Sequence, residues 1–570
     1  ISPEEVKAYH LGSVLSGGGS VPGENTPADW VAINDAYWVA SMEEDDAHLA
    51  IPILYGVDAI HGHNNVRGAT VFPHNIGLGA TGDPELLERI AQVTAREVRA
   101  TGVEWTFAPT LAVARNDRWG RTYESYSEDP DTVRVHGERF VRGLQGDLGT
   151  SNVVACAKHW VGDGGTTDGI DQGDTAVSLA ELQSTHIAPY YGALQAGVLT
   201  VMASYNSWNG NKCHGHEYLL SDVLKSDLGF RGFVISDWNG IDQLSDDFHE
   251  AVALSVNAGI DMFMVPEKWK EFIATLRDLV ERGTVSMDRI DDAVRRILTV
   301  KFIAGLFDQP RPAEREFSNH SSFGSSEHRD VAREAVRKSM VLLKNDADIL
   351  PLQSGGRILV AGKSADNRGH QCGGFTVAWQ GVSSNEEIEG GTSIWEGLQQ
   401  KLPDAVLSVD GSAAESGPFD AAVVVIGELP YAEGLGDVRA EGVVSQGSSM
   451  IRPGLELKPY GRSLELSITH PEDLETIRRI RAQGIPVIAV LLSGRPLVVN
   501  NELEESQAFV AAWLPGSEGA GVADILCGEY DFSGTLSFSW PRSDQDNWNR
   551  GDEQYNPLFP FGYGMTYNNA

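Results

Sequence analysis

The feature that most constrains this chain is a repeated phrase: an apolar, strand-sized run that ends on a polar or special residue and gives way to a helical stretch. Seven such runs lie in the first 270 residues. "HLGSVLSGGG" runs into glycines, "PILYGVDAIHG" reaches Asp58, "VEWTFAPTLAV" breaks at Pro109, and "NVVACAKHWVGDGG" ends on Lys158 and His159. "VLTVMASYN" ends on Tyr205 and Asn206, "GFVISDW" on Asp237, and "GIDMFMVP" on Met264 and Pro266. Several gaps hold well-signalled helices. "GDPELLERIAQVTAREVRATG" has Asp83 as N-cap, Pro84 at the first helical position and Gly102 past the end. "SLAELQSTHIAPYYGALQAG" opens with the capping box of Ser178 and Glu181. Parallel strands need a helical crossover, so this alternation implies a parallel α/β domain. Polar groups at the strand tips point to a (β/α)8-type barrel, whose functional face is the C-terminal one. Seven units are legible and the eighth is not; a missing N-terminal unit would account for it.

The barrel is expected over residues 1–308, followed by a Pro-, Ser- and charge-rich linker, "DQPRPAEREFSNHSSFGSS", at 309–325. A second alternating series then begins: "RILVAG", "AVLSV", "DAAVVVIGE", "PVIAVLLSG" and "AFVAAWLPG". It predicts a separate α/β sandwich domain with a parallel-rich sheet over 326–540. A C-terminal tail, 541–570, rich in Asn, Asp and aromatic residues, is expected to drape over the surface. No internal repeat is visible.

Charge narrows the partners. The chain carries 44 Lys and Arg against 80 Asp and Glu, a formal net charge of −36, with no basic block. Nucleic acid and anionic membrane surfaces are excluded as partners on that ground, and a neutral substrate fits better. The four cysteines, Cys156, Cys213, Cys372 and Cys527, have neither disulfide-framework nor zinc-ribbon spacing. "IPVIAVLL", the longest strongly apolar stretch, is too short to span a bilayer. "ISPEEVKAYH" lacks the basic and apolar parts of a signal peptide and has no initiator Met, so a processed or trimmed chain is expected.

The barrel tips gather Asp58, Arg121 of "DRWGR", Lys158, His159, Tyr205, Asp237 and Trp238. Carboxylates, cations and an imidazole match vicinal hydroxyls, while an indole covers the apolar face of a sugar ring. Glycoside hydrolysis needs two carboxyl groups, one ionised and one protonated. The strings "YGVDAIHGHNN", "RWGRTYESYSEDP", "ACAKHWVGDGG", "GFVISDWNGID", "CGGFTVAWQG" and "AAWLPGSEGAGVADILCGEYDFSGTLSFSWP" together resemble glycoside hydrolase family 3, in order from about residue 10 to the end. The likeness is to its two-domain, exo-acting β-glucosidases and β-glucan glucohydrolases.

That resemblance implies a retaining enzyme releasing glucose from non-reducing ends, with β-linked glucan or oligosaccharide as substrate, glucose as product, no cofactor and no metal. Asp237 corresponds to the family's nucleophile. The acid/base comes from the second domain, where Glu433 of "VVVIGELPYAEGLGD" aligns best; strand-end position alone favours Glu428, so both stay open at this level. Asp58 resembles the acid that grips non-reducing-end hydroxyls, and Arg121, Lys158 and His159 resemble hydroxyl donors. Tyr205 resembles a residue beside the nucleophile, and Trp238 and Trp379 an indole pair around the next sugar. The family normally has a strand-bearing segment before "LGSVLSGGGS", so a cleaved segment or an incomplete chain is expected. The resemblance also implies a secreted or periplasmic protein.

Two rival functions stand beside it. A β-N-acetylglucosaminidase of the same family would carry a catalytic His in an Asp-x-His loop, where this chain has "KHWVGDGGTTDGIDQGD". A non-catalytic sugar-binding protein would have lost a carboxylate, and none is missing. "HGHNN" (61–65) and "CHGH" (213–216) invite a metal reading but lack an identifiable carboxylate partner. "YESYSEDP" (123–129) reads as buried support for Arg121.

Overall fold

The strands of the first half form in chain order as β1 (Ser13–Ser16), β2 (Leu54–Val57), β3 (Trp105–Thr106), β4 (Val154–Trp160) and β5 (Asp174–Thr175). They continue as β6 (Thr200–Ala203), β7 (Ser207–Trp208), β8 (Asn211–Lys212) and β9 (Phe233–Ile235). The computed structural model describes residues 1–45, 49–439 and 458–568. One sheet runs β1-β2-β3-β4-β6-β9, parallel throughout, and a parallel bridge from Ile235 to Met262 continues it. Six of the seven apolar runs are therefore strands, and the seventh is a single bridge. β5, β7 and β8 make a small separate sheet.

The main sheet curls, but no ladder among the described residues joins the Met262 segment to β1. The (β/α)8-type barrel expected from the sequence takes the form of a curled parallel sheet whose ladders among the described residues end at the Met262 bridge. Its inner face is filled from another direction. Val300, Ala304 and Leu306, at the end of helix Met287–Ile303, share one buried cluster with Leu54, Trp105, Phe107, Phe233 and Ile235. Lys301 from the same helix donates to the carbonyls of Gly12 (2.8 Å) and Pro52 (2.7 Å), just ahead of β1 and β2. The Gly12 carbonyl also accepts from Leu54 N–H at 3.0 Å, so this cation ties the starts of β1 and β2 to the helix.

The predicted helix over 178–197 also differs. Its cap forms, with Glu181 N–H donating to Ser178 Oγ (3.2 Å), but Leu182–Ile187 is wound as a π-helix before Ala188–Gln195 returns to α.

The second half adds β10 (Val341–Asn345), β11 (Ile358–Ala361), β12 (Val406–Leu407), β13 (Ala421–Gly427), β14 (Val487–Leu492) and β15 (Ala508–Trp513). Their order is β10-β15-β14-β13-β11-β12, parallel except for the antiparallel edge strand β10. Along β13 the side chains alternate between two cores. Ala422, Val424 and Ile426 enter one cluster, and Ala421, Val423 and Val425 the other. That is the period of two expected of a strand buried on both faces. The first of these clusters also takes in Ala112, Ala114, Trp119 and Tyr123, so the two halves of the chain share a core.

Between the halves, Arg311 pairs with Asp35 and Arg315 with Glu104, which pins the linker-like segment to the first half. Near the C-terminus Met565 bridges to Leu342 and covers part of the β10 edge.

Candidate active site

The C-terminal tips of the parallel strands meet the second half of the chain at one cavity that is open to solvent at its mouth. Asp58 follows β2, Lys158 and His159 lie near the end of β4, Tyr205 follows β6, and Asp237 and Trp238 follow β9. Arg121 comes from the turn after β3, and Phe375, Trp379 and Glu433 come from the second half. All nine residues expected from the sequence line this cavity. Leu15, Phe107, Met202 and Met264 also line it and were not anticipated, because apolar residues at strand tips look like ordinary core.

The charged groups form a connected network. Lys158 Nζ donates to Asp58 Oδ1 at 2.9 Å. Arg121 is clamped by Glu124, Nε to Oε1 at 2.7 Å and Nη2 to Oε2 at 3.0 Å. The same Nη2 also faces His159 Nε2 at 3.2 Å, and Nη1 lies 3.7 Å from Glu433 Oε1. A guanidinium only donates, so His159 Nε2 accepts and its Nδ1 proton goes to Asp163 Oδ2 at 2.8 Å. Burial, with Arg121 and Lys158 beside it, holds the His159 pKa well below its ordinary value, so the ring is neutral.

Asp237 is fixed from three sides. Its backbone N–H donates to His214 Nε2 at 2.9 Å, its Oδ1 accepts from Trp238 N–H at 2.7 Å, and its Oδ2 lies 3.7 Å from His159 Nε2. Tyr205 hydroxyl donates to the Trp238 carbonyl alongside. Burial raises the Asp237 pKa to about 6, with Arg121, the Trp238 N–H and Lys158 limiting the rise. Burial raises Glu433 further, to about 8, against the pull of Arg121 and with help from Asp171 and Asp237. One cavity therefore presents two carboxyl groups whose environments separate their pKa values.

Glu433 reaches this position with left-handed backbone, φ 55°. Glu428, the other candidate from the sequence, sits at the tip of β13 with only 3% exposure and does not line the cavity. Its Oε1 accepts from Arg495 Nε at 3.0 Å, and its Oε2 from Tyr431 hydroxyl at 2.8 Å and Gly494 N–H at 2.9 Å.

The glycine run after β1 makes the turn in which Gly17 bridges Ser20. Gly18 packs against Trp379, where a Cβ would lie 3.6 Å from Trp379 Cβ in ordinary contact, and it is its φ of +58° that favours glycine in this turn. Asn64, in the loop after β2, holds the Trp379 loop: its carbonyl accepts from Val377 N–H at 2.8 Å, and its side-chain amide donates to the Phe375 carbonyl, while neighbouring Asn65 Oδ1 accepts from Gly18 N–H at 3.2 Å. The histidines of the two His-rich strings are engaged elsewhere. His61 stacks on His74 at 3.7 Å, His63 meets Thr101 at 2.9 Å, His214 serves Asp237, and His216 packs on Trp208.

Comparisons with known proteins agree with this architecture. Residues 2–300 match the glycosyl hydrolase family 3 N terminal domain, and residues 340–567 the glycosyl hydrolase family 3 C-terminal domain. The chain is 32% identical to a lysosomal beta glucosidase of Dictyostelium discoideum, over 98% of this chain and 70% of that protein. It is 30% identical to a periplasmic beta-glucosidase of Salmonella typhimurium, over 91% of this chain and 72% of that protein. Among solved structures, an exo-1,3/1,4-beta-glucanase from a Pseudoalteromonas species superposes with a TM-score of 0.93 at 46% identity, covering 100% of this chain and 71% of that one. A beta-glucosidase from Listeria innocua in complex with laminaribiose superposes with a TM-score of 0.82 at 28% identity, covering 98% and 76%. With both halves matched and the cavity formed where they meet, the chain belongs to glycosyl hydrolase family 3.

Proposed function

We propose that this glycoside hydrolase is an exo-acting, retaining β-glucosidase and exo-β-glucanase, with Asp237 as nucleophile and Glu433 as acid/base. The observation that carries this reading is the pair of carboxyls on one cavity, one with its pKa at about 6 and the other at about 8. At neutral pH the first is ionised and the second protonated, as double displacement requires. Asp237 Oδ attacks the anomeric carbon as the C–O bond to the leaving group breaks and Glu433 passes its proton to the departing oxygen. The new glycosyl ester removes the Asp237 charge, which had helped hold the proton on Glu433. Glu433, now a carboxylate, takes a proton from water as the water oxygen attacks the anomeric carbon and the ester bond breaks. Two inversions leave the configuration retained.

Asp58 and the cations Lys158 and Arg121 suit the sugar hydroxyls, with His159 as an acceptor in the network. Trp238 and Trp379 suit the ring faces of the next sugar. Since the solved relatives act on 1,3/1,4-linked glucan or hold laminaribiose, β-1,3- and β-1,4-linked glucose are the proposed substrates. Indole stacking reads a ring face more than a linkage, which supports acceptance of both. A secreted or periplasmic location fits the same reading, one relative being named periplasmic. Recovery of the native protein in the cytosol of fractionated cells would contradict it.

Brief incubation with a 2-deoxy-2-fluoro-β-glucoside bearing a good leaving group, followed by peptide mapping, tests the reading. A sugar adduct is expected on the peptide containing Asp237, with no turnover of the N-acetylglucosaminide. An adduct on another carboxylate, or none on a folded protein, would overturn it.

A further inference from the structure

The segment carrying Glu433 is held from outside itself. The Tyr431 carbonyl accepts from Tyr123 hydroxyl at 2.9 Å, and Ala432 N–H donates to Gln380 Oε1 at 2.8 Å. Asp437 accepts from Gly120 N–H and from Asp171 N–H, both at 3.0 Å. The most connected group is Arg495, which follows β14 and is 0% exposed. Its Nε donates to Glu428 (3.0 Å) and to Tyr431 hydroxyl (2.9 Å), and its Nη2 to the Gly436 carbonyl (2.6 Å). Its Nη1 crosses to the first half of the chain, to the carbonyls of Asp117 (3.1 Å) and Trp119 (3.4 Å). The guanidinium also lies 4.6 Å from the centre of the Tyr431 ring.

One planar, permanently charged group thus spans a strand tip, the loop that ends at Gly436, and the turn that leads into Arg121. Glu433 sits between the first two on left-handed backbone, which a non-glycine residue holds only when its surroundings over-determine it. We propose that Arg495 is a positioning residue for the reaction: it sets the Glu433 loop and the Arg121 turn in register, so that the proton donor meets the leaving-group oxygen. Glu428 is the counter-charge that lets this guanidinium be buried. The inference rests on Glu433 being the acid/base.

R495K keeps the charge but cannot reach all these acceptors from one fixed plane. The readout is kcat/KM for two β-glucosides: an alkyl glucoside, whose leaving group must be protonated, and the 2,4-dinitrophenyl glucoside, whose leaving group need not be. General acid catalysis is worth about 10²–10⁴-fold, so R495K is expected to lose about 10²-fold on the alkyl glucoside and less than about threefold on the dinitrophenyl one. Azide, which attacks without a base, is expected to raise its kcat on the dinitrophenyl substrate. Equal losses on both substrates, or no loss, would overturn the proposal. Should R495K not fold, Y431F removes only the hydroxyl between Arg495 and Glu428 and is read in the same way. E433Q is run in parallel. If E433Q shows the leaving-group dependence and R495K does not, the Arg495 role fails alone; if E433Q lacks it too, the acid/base reading fails with it.

Discussion

A carboxyl group's work in this cavity is set by what surrounds it. Asp237 and Glu433 are both buried, yet Asp237 has the Trp238 N–H, Arg121 and Lys158 to favour its charge, while Glu433 has Arg121 at 3.7 Å and nearby acids acting against it. Activity in this reading needs Asp237 ionised and Glu433 protonated in the free enzyme. The kcat/KM profile is therefore expected to be bell-shaped, falling below about pH 6 as Asp237 gains a proton and above about pH 8 as Glu433 loses one. In E433Q the alkaline limb should disappear. A profile flat from pH 7 to pH 10 in the unmodified enzyme would contradict the assignment. Residue types at the strand tips made Asp58, Lys158, His159 and Asp237 legible in the sequence. Strand position alone did not show which of Glu433 and Glu428 lines the cavity, because Arg495, 67 residues beyond Glu428, pairs with Glu428 and holds it in the core.

Among the elements, loops rather than strands decide the cavity's shape, and they depend on close backbone approach. A Cβ placed on Gly120 would lie 1.9 Å from the Glu433 carbonyl oxygen and 2.8 Å from Asp437 N. G120A should push the Glu433 loop off the Arg121 turn, destabilise the fold by about 1–3 kcal/mol as overpacking does, and lower kcat/KM on poor leaving groups most. Thermal melts and the two-substrate comparison check both halves; an active variant with an unshifted melt would show that the loop yields freely. The helices were legible through their caps, as at Asp83, whose Oδ1 accepts from Leu86 N–H at 2.9 Å. The π-wound segment Leu182–Ile187 was not, since local propensity distinguishes poorly between two windings of the same residues.

At the scale of the whole molecule, a net charge of −36 opposes compaction, while ion pairs such as Arg329–Glu518 at 2.9 Å hold specific junctions. Raising salt from about 0.01 M to about 1 M shortens the screening length from ~30 Å to ~3 Å and weakens long-range repulsion first. The melting temperature is expected to rise over that range, as calorimetry would show; a fall would mean that the exposed ion pairs outweigh the repulsion. The sequence alone determined the alternation of strand and helix, the two series of strands and the residue types at their tips, because periodicity and capping are written in neighbouring residues. Tertiary structure decided where helix Met287–Ile303 docks on the first sheet, since Lys301 reaches Pro52 and Gly12 across 249 and 289 residues of chain, and Val300 packs with Leu54 beside them. It also decided that Glu433 of the second half faces Asp237 of the first. Such contacts leave no local pattern, because they are selected by the packing of a shared core and by which buried cation claims which carboxylate.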